Sequence, residues 1–450
     1  MARPVLYGPE HERLEASPAN MSVREVEHLL IGGGLACATC AHSLREGGAE
    51  GEVLLVGREP DPPYNRPECS KGYLRGEETR EDPLVHPNEF WSEHNVELLT
   101  RTSVTALDLD TRTAKLSDKQ EVRFEKALIA TGANVRRLNV PGCELEPIHY
   151  LRTLGNADAI REGVADAESV VLIGGSYIGC EVSASLTLMG KQATIVMLEG
   201  ITLERSFGKT AGRFFQELLE SHGVTIHGAD GLERFEGDTR KGTPSGAHPE
   251  ASKQASGRVG KVITTNGLEL AADAIVVGAG VTPDVALAKR AGLDIGERGG
   301  VLCSSRLETS APGVFVAGDI AEYDSPLHGG HVRIEHWDVA FNHGKTAAAN
   351  MLGGNTPHEV VPYFYSVLAD WGELEYVGPA YEWDEEIVRG SYEDGEFTTW
   401  YLKGDQLKGA LTFGRPDDLE HARRLITERT ALDEAERAML ASLDADLATL

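Results

Sequence analysis

Two glycine clusters each separate an apolar run from a helical pattern, an order that brings the main chain close to a phosphate. The first cluster, Gly32-Gly33-Gly34, follows the apolar run 26–31 and precedes a helical pattern that extends to residue 44. Glycines allow a tight turn and close backbone approach, and the N-terminus of the following helix presents N–H donors. The spacing therefore predicts that Gly32 and Gly34 bind the pyrophosphate of a dinucleotide.

The remainder of this unit departs from the G-x-G-x-x-G pattern at one position. Cys37 occupies the place of the third glycine, where a small and readily buried residue still allows the helix to pack on the strand. A second apolar run covers residues 53–56, and Glu59 follows it, 22 residues after Cys37. A carboxylate at this point can accept hydrogen bonds from the hydroxyls of a ribose. We therefore predict that Glu59 binds the ribose in a first dinucleotide fold.

The same order of elements returns about 140 residues later. Residues 169–173 form an apolar run, 174–176 the turn, 178–189 a helical pattern and 193–198 a second run. Gly174, Ser176 and Gly179 stand at the three fingerprint positions, and Glu199 lies 20 residues after Gly179. A carboxylate there would repel a 2′-phosphate, so this unit favours NADH over NADPH. If the alignment is shifted by two residues, Met197 takes this place, and its side chain would not discriminate NADH from NADPH.

Composition limits the compartments and partners that fit the chain. Its 450 residues suggest about three domains, and 43 basic against 71 acidic side chains give a net charge of −28. Such a charge disfavours nucleic acid and anionic membrane surfaces as partners, and no run of 18 apolar residues could span a bilayer. Six scattered cysteines and a polar N-terminus predict a cytoplasmic protein whose residues 1–24 form a flexible tail.

Four further strings narrow the family. They are Pro63-Tyr64-Asn65-Arg66-Pro67-Glu68-Cys69-Ser70-Lys71-Gly72-Tyr73-Leu74, Ala130-Thr131-Gly132-Ala133, Gly313-Val314-Phe315-Val316-Ala317-Gly318-Asp319 and Arg333-Ile334-Glu335-His336-Trp337. These strings resemble motifs of flavin-dependent ferredoxin reductases, and the last is also similar to a flavin-covering helix of apoptosis-inducing-factor relatives. From about residue 25 to 425 the chain is identified as a member of the FAD-dependent pyridine nucleotide-disulfide oxidoreductase superfamily, in its ferredoxin reductase and apoptosis-inducing-factor-like branch.

The resemblance implies an α/β fold with two Rossmann-like, three-layer ββα dinucleotide-binding domains and an α+β C-terminal domain of the reductase type. The FAD-binding domain would cover residues 25–144 and 275–353, and the NAD(P)H-binding domain would be inserted between them at 145–274. A stretch rich in Gly, Ser and Pro at 236–257 is predicted as a surface insertion within a hairpin. The third domain would cover residues 354–450.

The resemblance also implies roles for individual residues. Asp319 would accept hydrogen bonds from the ribityl chain of the flavin, and Arg66 would meet the FAD phosphates or the adenine side. Lys71 would lie at the reactive edge of the flavin, paired with Glu181, and these two are the predicted catalytic residues. A cation there stabilises an anionic reduced flavin. Further predicted cofactor contacts are Ala130, Thr131, Gly132, Arg152, Gly280, Gly318, Glu335, His336 and Trp337.

Some of these side chains also fit a purely structural role. Trp337 and the aromatic residues 363–365 could stack on the flavin or belong to the core. His336 is expected to be a hydrogen-bonded structural histidine rather than a base, because hydride transfer abstracts no proton from a substrate carbon.

The cysteines raise two further possibilities. Cys37 and Cys40 form a C-x-x-C string, but thioredoxin reductases carry their redox pair in the other domain, and no second pair follows for zinc. We therefore expect neither a dithiol centre nor a metal site. Cys69 lies two residues before Lys71, which could lower the pKa of the thiol and make it a redox cysteine.

Together these features predict an FAD-dependent NAD(P)H oxidoreductase, monomeric or homodimeric, that passes a hydride from NADH to FAD. The family resemblance implies that the electrons then go to a ferredoxin or rubredoxin. Because the chain is acidic, docking of an acidic ferredoxin needs a local basic patch. Candidates for this patch are Arg415, Arg423 and Arg424. The alternative is that these three arginines are ordinary helix-surface charges. Two alternatives stay open. One is an NADH oxidase or peroxidase with a small-molecule acceptor, and the other is a non-catalytic redox sensor similar to apoptosis-inducing factor.

Overall fold

The computed structural model describes residues 23–238 and 257–450 of the chain. Its first part contains β1 (Arg24–Ile31), α1 (Leu35–Glu46), β2 (Val53–Val56), α2 (Gly72–Arg75), α3 (Phe90–Glu93), β3 (Val96–Leu99), β4 (Val104–Asp108), β5 (Thr113–Leu116), β6 (Glu121–Ile129) and β7 (Ala133–Val135). Strand β1 lies between β2 and β6 and is parallel to both. The carboxyl end of β1 therefore lies at the middle of the sheet, where α1 begins directly after the first glycine cluster.

The second part forms a separate sheet. It contains β8 (Ile148–Tyr150), α4 (Leu154–Gly163), β9 (Ser169–Ile173), α5 (Tyr177–Leu188), β10 (Gln192–Val196), α6 (Glu204–Ser221), β11 (Thr225–His227), β12 (Leu232–Gly237), β13 (Val259–Thr264), β14 (Glu269–Ala271) and β15 (Ala274–Val277). Strands β11-β10-β9-β15-β8 are parallel, and β12-β13-β14 form an antiparallel sheet. Apolar side chains of β12 and β13 pack on β9 and β15, and those of α5 and α6 pack with β9 and β10 in a separate cluster. This gives the predicted three-layer ββα arrangement.

The chain then returns to the first part. The next elements are β16 (Val281–Pro283), α7 (Ala286–Arg290), β17 (Val301–Cys303), β18 (Val314–Val316), β19 (Ala321–Ser325), β20 (Gly330–Val332) and α8 (Trp337–Met351). Strand β16 pairs with β7, and β18 joins the first sheet beside β6 in parallel. The first glycine unit is therefore built from two separate segments of the chain, with the second unit inserted between them.

The last part is an antiparallel sheet with two helices. It contains β21 (Tyr363–Leu368), β22 (Gly372–Val377), β23 (Glu385–Ser391), β24 (Glu396–Lys403), β25 (Gln406–Phe413), α9 (Asp418–Glu428) and α10 (Glu434–Ala441). Leu419, Ala422 and Leu425 of α9 pack on Trp400 of β24. On another side, Phe397 of this sheet joins the apolar cluster of α5 and α6. The predicted α/β fold with an α+β C-terminal domain is confirmed.

Three predicted boundaries are wrong. Arg24, placed in a flexible tail, begins β1 and pairs in register with Val122, while residues 1–22 of that tail lie outside the described residues. Residues 236–237 belong to β12, because they pair with β13; residues 239–256 of the predicted insertion are not described. Residue 275 lies inside β15, which pairs with β9, so the return to the first domain falls after Val277. In each case ladder pairing, which composition does not reveal, sets the boundary.

Among the residues that the structure describes, no helix is long and apolar enough to cross a membrane.

Candidate cofactor site

A cavity of about 440 Å³ lies where the first and last parts of the chain meet α5. Fifteen of the predicted site residues line it. They are Gly32, Gly34, Glu59, Arg66, Lys71, Ala130, Thr131, Gly132, Arg152, Glu181, Gly318, Asp319, Glu335, His336 and Trp337. The aromatic residues 363–365 also line the cavity and are only partly buried, and Tyr363 and Phe364 pack against the apolar clusters as well.

The first glycine turn forms an open floor for this cavity. Gly32 has φ of +136°, and a Cβ there would overlap the carbonyl oxygen of Ala130. A Cβ at Gly34, by contrast, would meet no heavy atom within 4 Å, and Gly34 precedes the first turn of α1 without a capping side chain. The turn therefore leaves space and unoccupied helix N–H donors at one place, which fits a pyrophosphate.

An arginine with a free donor lies opposite. Arg152 Nη2 donates to Asp319 Oδ2 over 2.7 Å, while its Nε is buried and has no hydrogen-bond partner in the described part of the chain. Asp319 follows Gly318, which adopts a left-handed φ of +69°. A buried donor without a partner is costly, so the cavity wall fits a polar or anionic ligand. FAD, which carries a pyrophosphate and a polyhydroxyl chain, meets this requirement.

Glu59 lies in a compact hydrogen-bonded group with Arg66 and Tyr64. Arg66 Nη2 donates to Glu59 Oε1 and the Tyr64 hydroxyl donates to Glu59 Oε2, each over 2.5 Å. Burial raises the pKa of Glu59, but Arg66 and Tyr64 outweigh this effect and lower it overall. The carboxylate is thus held ionised and oriented at the cavity wall. Tyr64, almost fully buried, stands in the string 63–74, yet its contact with Glu59 was not predicted.

The predicted catalytic residues form a buried ion pair. Lys71 Nζ lies 3.0 Å from Glu181 Oε2, and both residues are less than a tenth exposed. Ser70 and Ser366 donate to the two carboxylate oxygens over 2.5 and 2.6 Å. Lys71 also lies 5.6 Å from the ring centre of Tyr365. Both carboxylate oxygens therefore accept hydrogen bonds, and the ammonium is held at the cavity wall.

The five remaining predicted residues lie outside this cavity, around the second glycine turn. A Cβ on Gly179 would overlap the carbonyl oxygen of Gly174, so the start of α5 touches the turn. Ser176 is exposed at the N-cap of α5, and Gly280 is open to its surroundings. Glu199 pairs with Arg205 over 2.7 Å.

Met197, the alternative to Glu199, faces the interior. It is 2% exposed, and its sulfur lies beneath Gly175, where a Cβ would overlap it. The Glu199 side chain is 23% exposed. Of the two, only Glu199 presents a polar group at the surface beside the second turn.

One hypothesis about a reactive side chain finds no support in the structure, and one expectation is wrong. Burial raises the pKa of Cys69 to about 12 even though Arg66 opposes it, and the residue does not line the cavity. The structure therefore does not support the hypothesis that Lys71 lowers the pKa of this thiol. His336 was expected to be a hydrogen-bonded histidine, but its Nδ1 is buried without a partner among residues 23–238 and 257–450. Burial lowers its pKa to about 4, so the ring is neutral at the cavity wall.

Other residues of the cavity were missed because their partners are distant in sequence. Arg58 Nη1 lies 2.8 Å from Asp284 Oδ2, and both residues line the cavity. Asn65, which does not itself line the cavity, accepts a hydrogen bond over 2.8 Å from Nε1 of Trp337, which does. The string that contains Asn65 was a signal for a site, whereas nothing in the sequence marked Asp284.

Comparison with known families decides the identity. The family model described as pyridine nucleotide-disulphide oxidoreductase matches residues 26–344, and the one described as reductase C-terminal matches residues 370–450. The chain belongs to the pyridine nucleotide-disulphide oxidoreductase family. It is an FAD-dependent oxidoreductase that uses NADH, as the sequence motifs predicted.

The oxidoreductase is similar to several named reductases over nearly its whole length. It is 31% identical to rhodocoxin reductase of Rhodococcus erythropolis, over 91% of each chain, and 31% identical to putidaredoxin reductase of Pseudomonas putida, over 90% and 92%. The solved ferredoxin reductase for the CYP199A2 system of Rhodopseudomonas palustris superposes with a TM-score of 0.85 at 27% identity, over 94% of this chain and 99% of that one. The predicted ferredoxin reductase branch is confirmed.

Proposed function

We propose that this oxidoreductase passes electrons from NADH, through FAD, to a small iron–sulfur protein of the ferredoxin or rubredoxin type. The observation that carries the proposal is the Lys71–Glu181 ion pair in the cavity wall. Lys71 comes from the segment after β2, Glu181 from α5 of the second unit, and Ser366, which binds Glu181, from the last sheet. The names of the similar reductases support the acceptor class, and one solved relative, 30% identical, is a covalent complex of putidaredoxin reductase with putidaredoxin.

In this proposal the cavity holds FAD. Gly32, Gly34 and the start of α1 bind the pyrophosphate, and Glu59 binds the adenosine ribose. Asp319 orients the polyhydroxyl chain. The remaining FAD contacts are Arg66, Ala130, Thr131, Gly132, Arg152, Gly318, Glu335, His336 and Trp337, all in the cavity wall. When bound, FAD supplies a two-electron acceptor for hydride and a one-electron donor for the next protein.

NADH is held by the second glycine turn in the same proposal. Gly174, Ser176, Gly179 and Gly280 provide the phosphate turn, and Glu199 accepts from the ribose hydroxyls. Glu181 lies on α5, the helix that begins at this turn. Helix α5, which begins at the NADH turn, therefore carries Glu181, and Glu181 orients Lys71 toward the FAD cavity. The fixed ammonium of Lys71 then stabilises negative charge in the cavity without reorganising.

A stripe on α8 offers a route from the cavity to the surface. Trp337 lines the cavity and stacks with Phe341, with ring centres 5.4 Å apart, and Lys345 Nζ lies 4.2 Å from the centre of the Phe341 ring. Lys345 is exposed, so the stripe ends in a cation that suits an acidic partner. We propose docking of the iron–sulfur protein here.

The three arginines suggested by the sequence differ in their suitability for docking. Arg415 pairs with Asp418 over 3.0 Å, and Arg424 donates to the carbonyl oxygen of Leu450 over 2.6 Å. Both of these contacts lie within the last domain. Arg423 instead lies over the ring of Tyr363, a cavity residue, and can contribute to docking next to the α8 stripe.

Anaerobic reduction followed by reoxidation tests this function. The purified protein is reduced with NADH in a stopped-flow instrument and mixed with ferredoxin, rubredoxin, oxygen, peroxide or a quinone. With cytochrome c present as the final electron acceptor, we expect its rapid reduction only when a ferredoxin or rubredoxin is also present. Faster reoxidation by oxygen, peroxide or quinone would instead establish the oxidase alternative. A slow, oxygen-stable reduced state with NADH-dependent dimerisation would establish a redox sensor.

We also propose a cytoplasmic location. All six cysteines are free thiols in the structure, which suits a reducing compartment.

A further inference from the structure

A fully buried histidine lies directly behind the turn that carries Asp319. His343, in α8, accepts a hydrogen bond at Nδ1 from the backbone N–H of Gly318 over 3.2 Å. Gly318 opens a short 3-10 helix that includes Asp319. His343 does not line the cavity, so it reaches the site only through this peptide group.

The hydrogen bond determines the protonation state of the ring. A backbone N–H can only donate, so Nδ1 of His343 must be unprotonated and the hydrogen must lie on Nε2. The rings of Tyr323 and His358 pack edge-on against it, with centres 4.8 and 4.4 Å away. Burial, and to a lesser extent His358, lowers the pKa of His343 well below its usual value. The ring is therefore a neutral acceptor in the folded protein.

The position of the ring is also fixed relative to the first glycine turn. The next residue, Gly344, touches α1, because a Cβ there would lie 2.6 Å from the carbonyl oxygen of Ala36. α1 is the helix that begins at Gly34. One stretch of α8 thus contacts both the helix that follows the first glycine turn and the turn that carries Asp319.

We propose that His343 is a positioning residue for FAD, which fixes the Gly318 amide and thereby holds the Asp319 carboxylate at its place in the cavity. This inference rests on the proposed function, in which Asp319 binds FAD. Without the acceptor, the Gly318 N–H would be left buried and unpaired, and the turn would shift to satisfy it.

Two variants of the same shape separate the hydrogen bond from packing. His343→Asn places an amide oxygen at the position of Nδ1, whereas His343→Leu has the same branching without an acceptor. Both lose the ring and leave the same space. His358→Leu removes the neighbouring ring and its hydrogen bond to Thr346 but keeps the acceptor for Gly318, and serves as the control for a nearby loss of packing and bonding. The measurement is the rate of FAD release from each purified holoenzyme, followed by the recovery of flavin fluorescence.

We expect His343→Leu to release FAD on the order of tenfold faster than His343→Asn, with His343→Asn and His358→Leu releasing at similar rates. Equal release from His343→Leu and His343→Asn would overturn the positioning role while leaving the proposed function intact. If His343→Leu fails to fold, His343→Gln replaces it. The amide oxygen of glutamine reaches the place of Nε2, so this variant also lacks an acceptor at the place of Nδ1. Equal rates for His343→Gln and His343→Asn would then overturn the inference. A wild-type protein purified without FAD would overturn both proposals.

Discussion

At the residue scale, the cavity wall combines neutralised charges with donors that have no protein partner. Arg152 illustrates this, because one nitrogen pairs with Asp319 while Nε is buried and unpaired in the described chain. Burying a donor in this way costs free energy unless a ligand supplies the acceptor. The stability of this wall therefore depends strongly on bound FAD. The stability of an ordinary apolar pocket depends less on its ligand.

The first prediction concerns Asp319. Asp319→Ala should give largely colourless protein, with FAD content reduced about tenfold or more, because the variant loses an acceptor and leaves Arg152 unpaired. The measurement is the ratio of flavin to protein absorbance after purification. Asp324→Ala, which changes an exposed aspartate nearby, should stay yellow. A fully yellow Asp319→Ala protein would contradict the assignment.

At the scale of elements, the sequence pattern predicted what local periodicity determines. Strands β2 and β9 have the predicted bounds, since glycine turns and apolar runs mark them directly. Contacts between distant elements could not be predicted in the same way. The hydrogen bond from Ser366 to Glu181 joins residues 185 positions apart, and the pair of Arg58 and Asp284 joins residues 226 positions apart. Only folding brings these groups together, and single charges carry no pattern that marks such partners.

The motifs predicted much of the site for a related reason. The strings that resemble known families are short and continuous, so each delivers several cavity residues at once, as the segment from Arg66 to Lys71 does. The side chains that complete the hydrogen bonding come from elsewhere. Burial also changed two expectations, since it raises the pKa of Cys69 and leaves His336 Nδ1 without a partner. Sequence spacing contains no information about desolvation.

The packing of α5 against its turn gives a prediction at this scale. Gly179→Ala should raise KM for NADH by about tenfold or more, because the added methyl overlaps the carbonyl oxygen of Gly174 and displaces the start of the helix. FAD content should not change, since Gly179 is outside the cavity. Gly155→Ala, in α4, is the control, because its Cβ has no neighbour closer than 3.9 Å. Steady-state kinetics with an artificial electron acceptor measure the effect, and an unchanged KM would contradict the role of this turn.

At the scale of the whole molecule, one buried carboxylate connects three parts of the chain. Glu181 of the inserted unit binds Lys71 of the first unit and Ser366 of the last sheet. Interfaces between domains are usually more polar and mobile than domain cores. A buried charge at such a junction penalises separation of the parts, because opening would leave an ion without its partner. The relative arrangement of the two cofactor turns is thus tied to this pair.

The last prediction tests whether the pair acts as a unit. Lys71→Met should destabilise the protein by roughly 3–5 kcal/mol, because the Glu181 carboxylate would stay buried without a counter-charge. The double variant Lys71→Met/Glu181→Gln removes both charges and should recover much of this loss, so its Tm at saturating FAD should exceed that of Lys71→Met alone. Lys115→Met breaks an exposed ion pair with Glu121 and should change Tm little. A double variant no more stable than Lys71→Met would show that Lys71 and Glu181 do not stabilise each other, and the junction would then depend on apolar packing between the α5–α6 cluster and the last sheet.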